Sequence, residues 1–126
     1  IIVEYNAVWG DENAWTVPYK SDFYRSQAHY SNLYWGASLP AFCGLAEQRG
    51  YAFVGCNSNA NNAYFVRKDK LKDLRPLTAK EGFMQSKYRD SRDKSGELNF
   101  LSGAARFEVM KGLEVVDTRD HSTTKI

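Results

Sequence analysis

The chain has 126 residues, 43% of them hydrophobic and 14% aromatic, with 17 basic and 15 acidic side chains and a net charge of +2. That length and apolar content suit one globular domain with a buried core and exclude a disordered polyelectrolyte. Its longest apolar stretches fall well short of the roughly 18 residues that a membrane helix needs, so a soluble, cytoplasmic protein with no membrane partner is expected.

Residues 1–9, "IIVEYNAVW", open on a continuous β-branched run, the pattern of a strand covered on both faces, and Gly10 offers a turn. From Gly10 to about Ser31 periodicity fails while aromatic residues accumulate, which predicts a long connection of the kind that often carries function. "GASLPAFCGLAEQRGY" predicts a helix. Ser38 can cap it, Pro40 suits its first turn and Gly50 supplies a left-handed stop, with Leu39, Phe42, Cys43 and Ala46 on one face. "YAFVGCNSNANNAYFVRKD" predicts a β-hairpin: strands over 51–56 and 63–68 flank a polar loop rich in Asn. Cys43 and Cys56 read as two buried, reduced thiols, with a disulfide as the alternative.

Beyond Asp69 the composition shifts to helix formers. Residues 67–94 hold 10 basic and 5 acidic side chains, but the acids are interleaved, so a solvated face is expected rather than a nucleic-acid surface. Thr78 caps a predicted helix through "AKEGFMQSKYRD", and a second helix is expected within "LSGAARFEVMKG". A short extended "LEVVD" and a frayed tail from 118 follow. The organisation expected is therefore an α/β unit over residues 1–69 and a helical C-terminal extension over 70–126 packed on it.

The order strand, loop, helix, strand, tight loop, strand implies a mixed sheet: a parallel strand pair joined by a crossover helix, plus one antiparallel hairpin strand. The quoted stretches resemble the C-terminal half of class I S-adenosylmethionine-dependent methyltransferases, specifically the FkbM-like family and its bacterial relatives. Glu4, Tyr5 and Asn6 match the end of a strand, Gly50 and Tyr51 the start of the next, and Asn62, Ala63, Phe65 and Val66 the closing strand. The likeness covers residues 1–69 and implies a partial Rossmann-like sheet in a three-layer sandwich. It also implies O-methyl transfer, with S-adenosylmethionine as cofactor of the intact protein.

The nine glycines include no Gly-x-Gly turn, so no cofactor-binding residue is expected here, nor a metal site. The resemblance thus makes this chain the second half of a methyltransferase domain, inactive alone, whose earlier strands precede Ile1. Left without a neighbour, the strand at 1–9 would be a pairing liability, so a second copy, an N-terminal half or the tail is expected to cover it.

Ligands of open α/β sheets gather at the carboxyl ends of strands. Glu4 and Asn6 are accordingly the candidate catalytic residues, a carboxylate to take a hydroxyl proton and an amide to hold the acceptor. Trp9, His29, Tyr34 and Trp35 are candidate substrate-binding residues for a small molecule or glycan acceptor. The competing expectation is a free-standing α/β binding or interaction module that uses the aromatic loop 10–36.

Overall fold

The computed structural model describes residues 1–87 and 90–126. Its first strand, β1 (Ile2–Glu4), is shorter than the expected 1–9. Asn6 ends it early: its side chain accepts from the Val8 N–H and caps a 3-10 turn over Ala7–Trp9. The long segment expected to lack regular structure holds β2 (Trp15–Thr16) and α1 (Arg25–Ala28). Two residues of β2 are too few for a periodicity to register.

α2 (Leu39–Gln48) forms as the capping residues dictate. Ser38 accepts from the Ala41 N–H, Pro40 lies in the first turn, and Gly50 takes φ +76°. Leu39 is fully buried, which contributes about 1.5–3 kcal/mol. The hairpin follows as β3 (Tyr51–Cys56) and β4 (Asn62–Arg67). Its loop is organised by Asn57, whose Oδ1 accepts from the Asn61 and Asn62 N–H groups at 3.1 Å each, while Ala60 adopts φ +57°.

The later segment is less helical than expected. α3 (Ala79–Gly82) is one turn held by a Thr78–Glu81 capping box. The backbone N–H of Thr78, with Arg75 beside it, holds the Glu81 carboxyl down at about 2. The helix expected through residue 90 ends at Gly82 where it is described, and residues 88 and 89 lie outside the described residues. α4 (Ala104–Glu108) lies inside the second predicted helix. β5 (Glu114–Asp117) coincides with "LEVVD", and the expected frayed tail instead contributes β6 (Thr123–Lys125). β6 forms because β5 offers it a partner, with Val116 opposite Thr123 and Glu114 opposite Lys125.

The strands form two three-stranded sheets, β1-β4-β3 and β2-β5-β6, in which every neighbouring pair is antiparallel. The fold is α/β in class, and the expected hydrogen-bonded parallel pair is absent among the described residues. β4 sits antiparallel between β1 and β3, so the outer two strands run the same way without touching. Phe42 and Cys43 of α2 and Ala79 of α3 pack on the face carrying Phe53, Ala63 and Phe65, while Ile2, on the opposite face, is 67% exposed.

The second sheet joins the two parts of the chain, because β2 comes from the first 69 residues while β5 and β6 come from the rest. Its core holds Trp9, Leu33, Met110 and Val115. Ser38 ties it to α2: the hydroxyl accepts from the Trp15 N–H at 3.0 Å and donates to the Asn13 carbonyl at 2.7 Å.

Ile1 and Phe65 exchange both backbone hydrogen bonds and Tyr5 donates to Asn61. Alternation therefore turns the peptide groups of Ile2 and Glu4 away from β4. Among the described residues no strand pairs that outer side, and the tail is not its cover because it is committed to β5.

Candidate functional site

At the carboxyl end of β1, α1, α4, the 33–35 stretch and the hairpin loop enclose a cavity of about 270 Å³. Its wall brings together Glu4, Asn6 and Trp35 from the residues expected at a site, and adds Arg25, Asp90 and Arg106, which were not.

Asn6 builds this corner rather than reaching into it. The residue is 2% exposed, and its amide donates to the carbonyls of Leu33 (2.8 Å) and Trp35 (3.0 Å) while its oxygen caps Val8. Those bonds hold the 33–35 stretch against the end of β1. Glu4, the last residue of β1, is exposed at the rim, where a carboxylate can accept a proton from a bound hydroxyl.

Arg25 is fixed from three sides. Its Nε donates to the Asn32 carbonyl (2.7 Å), its Nη2 meets both oxygens of Asp90 (3.2 and 3.3 Å), and its guanidinium lies 4.9 Å from the centroid of the Trp35 ring. The stacked, hydrogen-bonded fork is the geometry that suits Arg to bidentate recognition. Arg106 is 3% exposed and donates from Nη2 to the Ser86 carbonyl at 2.9 Å.

The remaining expected site residues lie elsewhere. Trp9 is 3% exposed in the core of the second sheet; its indole N–H donates to the Trp35 carbonyl and its ring meets Tyr34 edge-on. The Tyr34 hydroxyl donates to the Glu114 carbonyl, and burial raises its pKa. His29 follows α1 and does not line the cavity; its Nδ1 is 2.8 Å from the Ser31 hydroxyl and its ring lies against Tyr30. Burial lowers its pKa, so the neutral ring is favoured. Cys43 and Cys56 are unbridged, and burial pushes the Cys43 thiol up to about 12 and raises that of Cys56, which leaves both poor nucleophiles.

Three other cavities are larger, and one of them, of about 350 Å³, shares Arg106 and also holds Asp11, Glu12 and Phe107. A groove of about 680 Å³ along α2 includes Arg119, already bound to Asp117, and one of about 490 Å³ is walled chiefly by Ile1, Phe42, Leu45 and Phe65. Among the described residues, none of the three sets a guanidinium over an aromatic face, as Arg25 and Trp35 do beside β1.

The signal for Arg106 was present in the sequence: it stands four residues from Met110, which is wholly buried, so a cation occupies the apolar side of a helical stretch. Arg25 and Asp90 are 65 residues apart and share no spacing motif, so only the fold unites them. No protein-family model, curated protein or solved structure matches the chain.

Proposed function

We propose that this chain forms the acceptor-binding part of an S-adenosylmethionine-dependent methyltransferase, with O-methyl transfer as the reaction. The observation that supports this reading is the strand order: β4 lies antiparallel between β1 and β3, and α2 connects β1's side of the chain to β3. In the family that the sequence resembles, the last strand closes the sheet by inserting in that way. The pocket at the end of β1 then takes the acceptor, and Glu4 receives the proton that its hydroxyl gives up.

The cofactor itself does not suit this pocket. No glycine lines it, so it offers no side-chain-free backbone for a close approach to the cofactor. On this reading S-adenosylmethionine is held by residues outside the 126 described by this sequence. The neighbouring unit would cover the outer side of β1.

The test uses the whole polypeptide encoded by the reading frame that contains Ile1. Methyl transfer from S-adenosylmethionine to a hydroxylated acceptor is expected, with Glu4→Gln lowering kcat by about 10²–10⁴-fold, the range for loss of a general base. Lack of methyl transfer and of S-adenosylmethionine binding would refute it. The second reading, a small α/β binding module, would then stand on Tyr19 and Tyr24, which are 92% and 64% exposed in the 10–36 segment.

A further inference from the structure

We propose that the pocket at the carboxyl end of β1 recognises an oxyanion, carboxylate or phosphate, carried by a small hydroxylated molecule. The inference names the acceptor's chemical class and rests on the reading that this pocket holds the acceptor. Its basis is how charge is distributed by depth. Two guanidiniums from distant parts of the chain, Arg25 and Arg106, line the same cavity of about 270 Å³. Arg106 is buried at 3% exposure, whereas Glu4 is exposed at the mouth. Arg25 and Asp90 sit together between these extremes, with side chains 33% and 26% exposed, and Arg25 engages both oxygens of Asp90. Arg106 is therefore the deep cation, the Arg25–Asp90 pair lies nearer the opening, and Glu4 stands at the mouth. A ligand that satisfies both ends carries its negative group inward and its hydroxyl outward, toward Glu4.

The donors have the matching geometry. The bonds of Arg25 use Nε and Nη2, and its Nη1 carries no hydrogen bond among the described residues. Because Asp90, the Asn32 carbonyl and the Trp35 ring hold the guanidinium in place, little side-chain freedom remains to be lost when an oxyanion binds. Oxyanions accept charge-assisted bonds from such forks more strongly than neutral oxygens do. The cavity is slightly smaller than the roughly 300–1,000 Å³ usual for drug-sized ligands, which favours one small polar unit over an oligomer.

The test is calorimetric titration of the full polypeptide with three probes that share a carbon skeleton: glycerol 3-phosphate, glycerate and glycerol. Tighter binding of the two anions than of glycerol is expected, and their ranking identifies which oxyanion the site prefers. Arg25→Gln should weaken anion binding about 10- to 150-fold, the loss expected for one charge-assisted hydrogen bond, and leave glycerol unaffected. Arg106→Gln replaces a buried group and tests folding as well as binding. Arg25, whose side chain is 33% exposed, is therefore the deciding position. Equal binding of all three probes, absence of anion binding, or unchanged anion affinity in a folded Arg25→Gln variant would each overturn the proposal. The failures are separable: anion binding without methyl transfer removes the enzymatic reading alone, and methylation of only neutral acceptors removes this inference alone.

Discussion

Replacing Asn6 by alanine should destabilise the protein far more than the loss of one surface amide. The amide engages three backbone groups: the carbonyls of Leu33 and Trp35 and the N–H of Val8. After Asn6→Ala the Trp35 carbonyl keeps the Trp9 indole N–H at 3.2 Å, but the other two groups lose their partner at a site 2% exposed. An unsatisfied buried donor or acceptor costs about 1–3 kcal/mol, so the two together cost about 2–6 kcal/mol. That is a large share of the roughly 5–15 kcal/mol that holds a domain together. Asn6→Asp keeps the shape and separates hydrogen bonding from packing. Its carboxylate would face two carbonyl oxygens that Nδ2 now meets at 2.8 and 3.0 Å, so the protonated acid is preferred in the folded state and its folded pKa rises above the unfolded value of about 3.9. With a raised folded pKa, stability is greatest below the unfolded value and is lost as pH rises through the folded one. Asn6→Asp should thus be more stable at pH 5 than at pH 7.5, in contrast to Asn6→Ala. Urea unfolding followed by circular dichroism and Trp fluorescence measures both. A loss below about 1 kcal/mol for Asn6→Ala, against the cost of orphaned groups, or no added pH dependence for Asn6→Asp, would refute this account of the corner.

Two further outcomes follow from packing and titration. Gly82→Ala, which helix propensity alone would favour by about 0.5–1 kcal/mol, should instead destabilise by about 1–3 kcal/mol. Its Cβ would stand 2.4 Å from Cε1 of the buried Phe53 ring and 3.2 Å from Leu77 Cδ1, and Phe53→Leu in the same chain should recover part of the loss in thermal melts. Burial lowers the His29 pKa, so stability should be fully present above the unfolded value of about 6.5 and fall as pH drops through it toward the lower folded pKa. An NMR titration of His29 should give a midpoint below 6.5, and His29→Gln should remove the corresponding slope in stability.

What the sequence displays well are elements with a local cause. Ser38, Pro40 and Gly50 specify α2 within two turns, and the Asn57 loop specifies the hairpin, because each signal lies within a few residues of the backbone it directs. The second sheet has no such local cause. β2 is two residues long and exists through Trp15 and Thr16 meeting Asp117 and Val116, about a hundred positions later. β6 likewise carries three exposed residues whose extended form depends on β5. Tertiary pairing here overrides weak local preference, as β propensity generally permits.

The candidate site divides along the same physical line. Strand polarity places Glu4 at the end of β1 with no further information, and that end is where the cavity opens. Asn6 was legible as a polar residue in an apolar run, but its chemistry was not. An amide in that position serves equally to hold a ligand or to hold the chain, and only the positions of the Leu33 and Trp35 carbonyls show that it holds the chain. The aromatic candidates separate by the same criterion: Trp9 is spent on the core, whereas Trp35 keeps one face for Arg25. A residue type announces what a side chain can do. Whether that capacity points inward to the fold or outward to a ligand is decided by partners contributed from elsewhere in the chain, and at this site those partners are Arg25, Asp90 and Arg106.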